Sequence, residues 1–542
     1  MSMGKKDIEK LCTREQELVD LNAPWKSLFQ ELAEWVLPRK SYVTRTKSKG
    51  QKTDATKLYD STAPRGLKMM AAGFHSHLTN PVSKWFNLRI QNKDTMKEKE
   101  VQIWFKDVED IIFAALSNSN FDTTMQEFYV NSGCFGTSAI LTLEDVKEKI
   151  RFTEIPIDQI VFEEDAYGRV NRVYRTFPLT AQQAYDLWGD QAGEEVLKTY
   201  VKKPNEKMKF MHYVGPRDKR DPSKEDNLNM PWMSVWVEKS KRHLIGEGGY
   251  LSNPFAVGRF SKDTSDVFGY SPSMDILPDV KLVNAMVKTL LRSAMKQADP
   301  PLIAPRRGFI APLNANPSKI NYYDSKTKSD AIAAFPTGSN ANLTLEMIQE
   351  TQRNIEKAYF VPLFQAISNI TKQMTIPEVQ RRVSENMVLL GPVVGRFTQE
   401  VMDPIILRVF DLLFAQGEIP EPPLSVQDQE LEIVYISALA RAQKESEVFS
   451  LQAFMQDLGS IGAIAPDVTD KFDADEALNQ VAKIRGITPE IIKSDSVVRK
   501  IRKLRAEAAI ADAEAQARKQ QVDTGAVAAA AASDIANAQK GK

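Results

Sequence analysis

The sequence predicts a multidomain α+β chain in which helix predominates. Length is the first reason: 542 residues exceed one ordinary domain and leave room for three or four. Patterning is the second. Apolar residues recur at helical spacing over most of the first 130 residues and again beyond about residue 270, whereas the stretch from about Ile150 to Phe260 follows the two-residue period of strands. A hydrophobic fraction of 42% is enough to build real cores, which excludes a globally disordered chain.

Apolar residues fall three and four apart from Gln16-Glu17-Leu18 to Val36-Leu37, and Asn22-Ala23-Pro24 divides this stretch into two helices. The segment Arg39 to Lys57 holds seven Lys/Arg against the single Asp54 and has no apolar period, so it reads as an exposed loop, either solvated or touching DNA or a partner. A small-residue helix opens at Ala63-Pro64-Arg65-Gly66-Leu67 and stops near Asn80-Pro81; helical periods return over Val101–Ser117 and Thr124–Val130. The strand block contains two predicted hairpins, one around Asp165-Ala166-Tyr167-Gly168 and one turning through Lys239-Ser240-Lys241.

Ser271-Pro272 is a helix start followed by a long apolar helix to about Gln297, which ends at Asp299-Pro300-Pro301. Some forty residues rich in Pro, Gly and Asn come next, and a second helix runs from about Leu343 to Tyr359, stopping near Pro362. Two helices bracketing a compact insertion predict a protrusion on a two-helix stalk. Thr375-Ile376-Pro377-Glu378 is a capping box, and the helix after it should kink at Gly391-Pro392, where proline removes a donor. Further helices are expected near Ser437–Gly459, Ala474–Arg485 and after Thr488-Pro489-Glu490. The Ala-rich tail is helix-prone but has no apolar stripe to bury.

No apolar run approaches the roughly 20 residues a bilayer span needs, and the start MSMGKKDIEKLC lacks the apolar core of a secretory signal. Cys12 and Cys134 have no neighbours at metal spacing and read as reduced thiols in a reducing compartment. Lys+Arg and Asp+Glu balance at 71 each, so no global field draws in nucleic acid. Either DNA is no partner, or it is a partner that must not be gripped.

Catalytic signals are absent. There is no G-x-x-x-x-G-K-[ST] loop, no H-E-x-x-H and no C-x-x-C. His75-x-His77 is the only histidine cluster, and positions i and i+2 of a helix face apart. Gly133-Cys134-Phe135-Gly136-Thr137-Ser138 lacks nucleophile-elbow spacing and reads as a tight turn feeding a strand over Ala139–Leu143. The cluster Glu163-Glu164-Asp165 falls at a hairpin turn, where solvated charge is the norm. No cofactor or metal is predicted, and the chain reads as a non-enzyme.

Several blocks in order resemble the podovirus head-to-tail connector (portal) family. They are Tyr59-Asp60-Ser61-Thr62-Ala63-Pro64-Arg65-Gly66-Leu67, then Asn80-Pro81 with Trp85-Phe86, then Ser117-Asn118-Ser119-Asn120-Phe121 and Gly133-Cys134-Phe135-Gly136. Asp165-Ala166-Tyr167-Gly168, Gly269-Tyr270-Ser271-Pro272, Asp299-Pro300-Pro301 and Met374-Thr375-Ile376-Pro377-Glu378-Val379 continue the series, which covers roughly residues 10 to 510. Each block is weak alone; order and spacing carry the resemblance.

The resemblance implies a phage portal fold assembling as a ring of twelve copies around a DNA channel. It divides the chain into an N-terminal wing (1–270), stem helix 1 (271–297), clip (298–341), stem helix 2 (342–365) and tunnel loop (366–374). A wing spine helix (375–429), a helical crown (430–510) and an Ala-rich tail or barrel helix (511–542) complete it. The implied partners are double-stranded DNA in transit, the terminase large subunit, a tail adaptor protein, and the major capsid and scaffolding proteins, with internal core proteins as a further candidate and no membrane. The implied place is the portal vertex of the virion, reached from the host cytoplasm during assembly. A scaffolding or minor capsid protein without a channel is the alternative, and an intracellular nucleic-acid enzyme the third.

On this reading Asn369, Lys372 and Gln373 project from the tunnel loop toward DNA, although Lys372 fits an intersubunit surface equally well. Arg306, Arg307, Lys319, Lys326 and Lys328 outnumber the nearby Asp324 and Asp330, and Tyr322 and Tyr323 add anchor-type aromatics, which suits docking of motor and adaptor on the clip.

Overall fold

The computed structural model describes residues 3–40, 42–44, 58–298 apart from 93, 146 and 225, 302–303, 333–334, 341–368, 390–435 apart from 428 and 430, and shorter pieces beyond, chiefly 454–458 and 497–511. The chain forms two compact units: residues 1–88, 108–421 and 433–443 make the first, and residues 89–107, 422–432 and 444–542 the second. The second unit is described mainly through helical pieces at 454–458 and 497–511, with Arg502 paired to Asp475 at 2.6 Å.

The first unit opens with α1 (Lys5–Leu21) and α2 (Ala23–Trp35), separated at Asn22 where Pro24 begins the second helix. α3 (Thr62–Leu78) follows; strand β1 (Phe86–Ile90) and α4 (Lys99–Asn118) each divide between the two units, and α5 (Phe121–Phe135) belongs again to the first. Two antiparallel sheets come next. β2 (Thr137–Asp145) is the middle strand of one, between β3 (Lys149–Ile155) and β9 (Phe255–Arg259). The other is a meander of β4 (Ile160–Glu164), β5 (Val170–Thr180), β6 (Lys207–Pro216), β7 (Trp232–Glu238) and β8 (His243–Tyr250). The turn at Asp165–Gly168 is made by the Asp165 carboxylate, which accepts from the amides of Tyr167 at 2.8 Å and Arg169 at 2.9 Å.

The meander is covered on both faces. Ile8, Cys12 and Leu18 of α1 pack against Val161, Tyr174, Met211, Tyr213, Val235 and Val237. On the other face Ala184 of α6 (Ala181–Trp188) and Val196 of α7 (Glu194–Lys202) meet Phe177, Phe210 and Ile245. Neighbouring residues of one strand therefore enter different cores, as the two-residue period demands. Both cysteines are free and buried.

The long helix after Ser271 is interrupted once: α8 (Pro272–Asp275) gives way at Ile276 to α9 (Leu277–Ala298). The second helix, α10 (Ala341–Ala358), ends at Phe360, whose φ of 54° is unusual for a residue with a side chain. Pro362 follows that end and sits in the first turn of α11 (Val361–Ser368), where its missing N–H costs nothing. Pro392 likewise lies in the first turn of α12 (Gly391–Phe397). A π-turn follows at Thr398–Met402, before α13 (Asp403–Ala415). Pro404 explains the position, because it lacks the N–H that would bond the carbonyl of Glu400.

Candidate functional site

The predicted stalk is present as α9 and α10, which run side by side. Its root is a set of buried hydroxyl contacts. Ser271 Oγ accepts from the Met274 amide at 3.2 Å and donates to the carbonyl of Cys134 at 2.8 Å. Ser273 Oγ donates to the carbonyl of Gly133 at 2.7 Å, so the Tyr359 hydroxyl, 2.7 Å away, must donate to it. The carbonyls at the end of α5 thus receive the first turn after Ser271, and Tyr359 joins the end of α10 to the same point. Tyr359 is fully buried, and a Cβ on Gly66 would stand 2.7 Å from its ring, so only glycine lets α3 approach. Gly136, at φ 76°, closes α5 in the left-handed region.

A second tie lies partway up the stalk. The buried Asn284 side chain accepts from the amides of Tyr59 at 2.7 Å and Asp60 at 3.0 Å, while Asp60 accepts from Gln352 of α10 at 2.7 Å. Lys288 lies 5.4 Å from the Tyr59 ring centroid. The block Tyr59-Asp60-Ser61 therefore fastens the chain beyond the basic segment to both helices.

Near the π-turn, the buried Arg259 side chain organises a charge cluster. Its Nε and backbone amide donate to Glu400 Oε2 at 3.2 and 2.9 Å, and Nη2 donates to Glu400 Oε1 at 2.7 Å and to the Gly168 carbonyl at 3.0 Å. Glu164 pairs with Arg259 and Lys262 together. Burial opposes the Arg259 charge, but the two carboxylates outweigh it and hold the guanidinium above its ordinary value.

Elsewhere, among the described residues, His75, His77 and His212 sit in packed surroundings. His75 Nδ1 lies 2.9 Å from Thr79 Oγ1, the His77 ring stacks on Phe364, and burial pulls both imidazoles down. His212 is fully buried, 3.0 Å from Ser234 Oγ and stacked 3.8 Å from Trp236; burial, then the Arg175 charge, lower its pKa to about 3. A cleft of about 390 Å³ beside α1 is lined by Lys10, Arg14, Glu163 and Tyr174 among others, yet Glu163 already accepts from Arg14 and Tyr174. Among the described residues no group of three or more His, Cys, Asp or Glu could hold a metal, and no helix is long and apolar enough to cross a membrane.

The sequence-predicted site residues fall outside the described residues: Asn369, Lys372 and Gln373 in the one segment, and Arg306, Arg307, Lys319, Tyr322, Tyr323, Lys326 and Lys328 in the other. At the neck of the insertion Leu302 and Ile303 pair antiparallel with Ala334 and Ala333. Sequence reasoning missed Asn284 and Arg259, whose partners lie far away along the chain. The only signal for Asn284 is a polar residue at a buried position of an apolar helix.

Similarity to known proteins spans nearly the whole chain. The profile of the family described as bacteriophage head to tail connecting protein matches residues 9–492. A probable portal protein of Bordetella phage BPP-1 is 29% identical over 509 residues, covering 93% of this chain and 92% of that protein. The portal protein of Salmonella phage epsilon15 is 29% identical over 515 residues, covering 94% and 92% respectively. With the two-helix stalk and its root formed by the blocks that resemble connectors, the chain belongs to the family of bacteriophage head to tail connecting proteins.

Proposed function

We propose that this chain is the portal subunit of a short-tailed double-stranded DNA phage, assembling as a ring at one capsid vertex through which DNA enters and leaves. One observation carries the reading: similarity to phage portal proteins extends over more than nine-tenths of the chain and of each relative. The stalk of α9 and α10 supports it, because among the described residues its outer part leaves apolar side chains such as Leu291 and Met295 exposed, and these gain by packing against further copies. On this reading twelve copies form the ring, α9 and α10 are its stem, residues 298–341 its clip, 366–374 its tunnel loop and 430–510 its crown. The 71:71 charge balance suits a channel whose lining must let a polyanion slide, since phosphate-neutralising contacts would trap it.

The clip residues Arg306, Arg307, Lys319, Tyr322, Tyr323, Lys326 and Lys328 are proposed to dock first the terminase motor and then the tail adaptor, and Lys372, with Asn369 and Gln373, to touch DNA in transit. The capsid and scaffolding proteins are the remaining proposed partners. Negative-stain images of the purified chain test the central claim: rings with an axial hole are expected, and monomers without rings would refute it. Charge reversal in the clip should abolish motor binding while leaving rings intact. Lys372→Ala and deletion of the tunnel loop should reduce packaging or retention of full-length DNA.

A further inference from the structure

The outward faces of the stalk helices carry charge in a pattern that the chain itself does not satisfy. Asp60 touches Asn284 on α9 and Gln352 on α10, which sets these two positions at one level. Counting outward at about 1.5 Å per residue, Lys288, Arg292 and Lys296 stand about 6, 12 and 18 Å above that level on α9. Glu350 and Glu346 stand about 3 and 9 Å above it on α10. Toward the body Asp279, nine residues before Lys288 and so about 180° around α9 from it, lies off the cation stripe, while the α10 stripe continues as Arg353 and Lys357, about 1.5 and 7.5 Å below the level. Spacings of three and four put Lys288, Arg292 and Lys296 on one stripe of α9, and Glu346, Glu350, Arg353 and Lys357 on one stripe of α10. Glu356 points about 100° away from that stripe.

None of these charges has an ion-pair partner among the described residues. The one basic residue of α9 that does, Lys281, is taken by Glu31 at 2.5 Å. Arg292, Lys296, Glu346, Glu350, Arg353 and Lys357 are exposed. The α10 stripe lies opposite the face that buries Ile348, Ile355 and Tyr359, so it cannot turn inward to meet α9 of its own chain. Exposed apolar residues flank the charges: Leu291 and Met295 on α9, Leu345 and Met347 on α10.

We propose that the occupant of this surface is a second copy of the chain, docked head to tail so that the Lys288, Arg292 and Lys296 stripe of α9 in one copy lies along the Glu346 and Glu350 stretch of α10 in the next. The partner is identified by sign: at the outer levels α9 carries cations and α10 carboxylates, so two copies of one chain supply both halves of the contact, which a polyanion or a neutral partner would not require. Such a contact joins two different faces of one subunit, so it repeats from copy to copy, as a ring requires, rather than stopping at a pair. Opposed charge along neighbouring helices fixes register and partner choice, with the apolar flanks supplying most of the burial. The inference rests on the ring reading above and adds which faces meet and in which order.

Full-length Arg292→Glu/Lys296→Glu and Glu346→Lys/Glu350→Lys variants test it, with oligomer size read by native mass spectrometry and sedimentation. Each variant alone should lose ring by about tenfold or more at moderate salt, while an equimolar mixture of the two should restore rings of alternating subunits. The quadruple variant, with both stripes reversed, should form rings unaided. Recovery on mixing also shows that the single variants are folded. Either variant forming rings alone at the wild-type level overturns the pairing, as does failure of the mixture to assemble while circular dichroism remains native. Normal rings with altered DNA passage would assign the α9 cations to DNA instead. A wild-type chain that forms no ring would refute the ring reading itself, a result distinct from all of these.

Discussion

Replacing Glu400 with Gln should loosen the first unit at one identifiable place. The wild-type carboxylate accepts three hydrogen bonds from Arg259, from Nε, Nη2 and the backbone amide. The Arg259 side chain is only 2% exposed, so water cannot take over. Removing one partner of a buried ion pair costs about 3–5 kcal/mol. Glu164 remains as a second carboxylate, although shared with Lys262, and Glu400 is itself 17% exposed. Together these reduce the expected loss to about 2–3 kcal/mol. Hydrogen exchange is the suitable assay because the Arg259 amide itself donates to Glu400. Peptides covering 255–261 and 398–409 should exchange about 30- to 150-fold faster, at 1.4 kcal/mol per factor of ten, with the α6–α7 region unchanged. An Arg259→Met/Glu400→Leu double variant should lose less than the sum of its single changes. Exchange within twofold of wild type in Glu400→Gln would refute the claim that this pair holds the π-turn to β9.

Three other sites give equally specific outcomes. The folded His212 imidazole titrates near 3 and an unfolded one near 6.5, so the unfolded chain takes the proton first and stability falls as pH drops through that window; at pH 4.5 the loss is about 2–3 kcal/mol, and a His212→Phe variant whose acid melting curve matches wild type would contradict it. Gly136→Ala should give little soluble protein, because a Cβ there overlaps the Gly269 carbonyl and the residue needs φ 76°; normal expression and melting temperature would show that the two loops can part. Asn284→Leu removes the acceptor of two part-buried backbone amides, so limited proteolysis at 58–61 should speed up about tenfold or more while α9 stays helical, and unchanged cleavage would show that the tie does not hold this segment.

The parts of the fold legible in the sequence were those with a strong local signal. Pro24 divided α1 from α2, Ser271 capped the helix it precedes, and Asp165 to Gly168 closed a hairpin, each through chemistry within four residues. β6 carries no such signal because six consecutive residues, Phe210 to Gly215, are buried, and a strand covered on both faces loses its alternation. Pro362 read as a stop, and α10 does end before it, but the new helix that Pro362 opens was not legible, because proline suits a first turn as well as it ends a helix. The Arg259 cluster was invisible because Glu164 and Glu400 lie 95 and 141 residues away. Charge stripes on α9 and α10 were readable in principle, since spacing of three and four marks one face, but only a shared level, set by Asp60, makes them complementary.

The order of strands has a kinetic side. In the meander, β4 through β8 pair with their immediate neighbours in sequence, so those pairings close short loops and can form while the chain is still being made. β2 must wait for β9, more than a hundred residues later, and the Arg259 cluster waits for Glu400. The first unit is thus finished by one of its last helices, long after its sheets have been synthesised. A nascent chain holds an incomplete body until the π-turn docks, so the proposed ring would draw on released, completed chains rather than on partial ones.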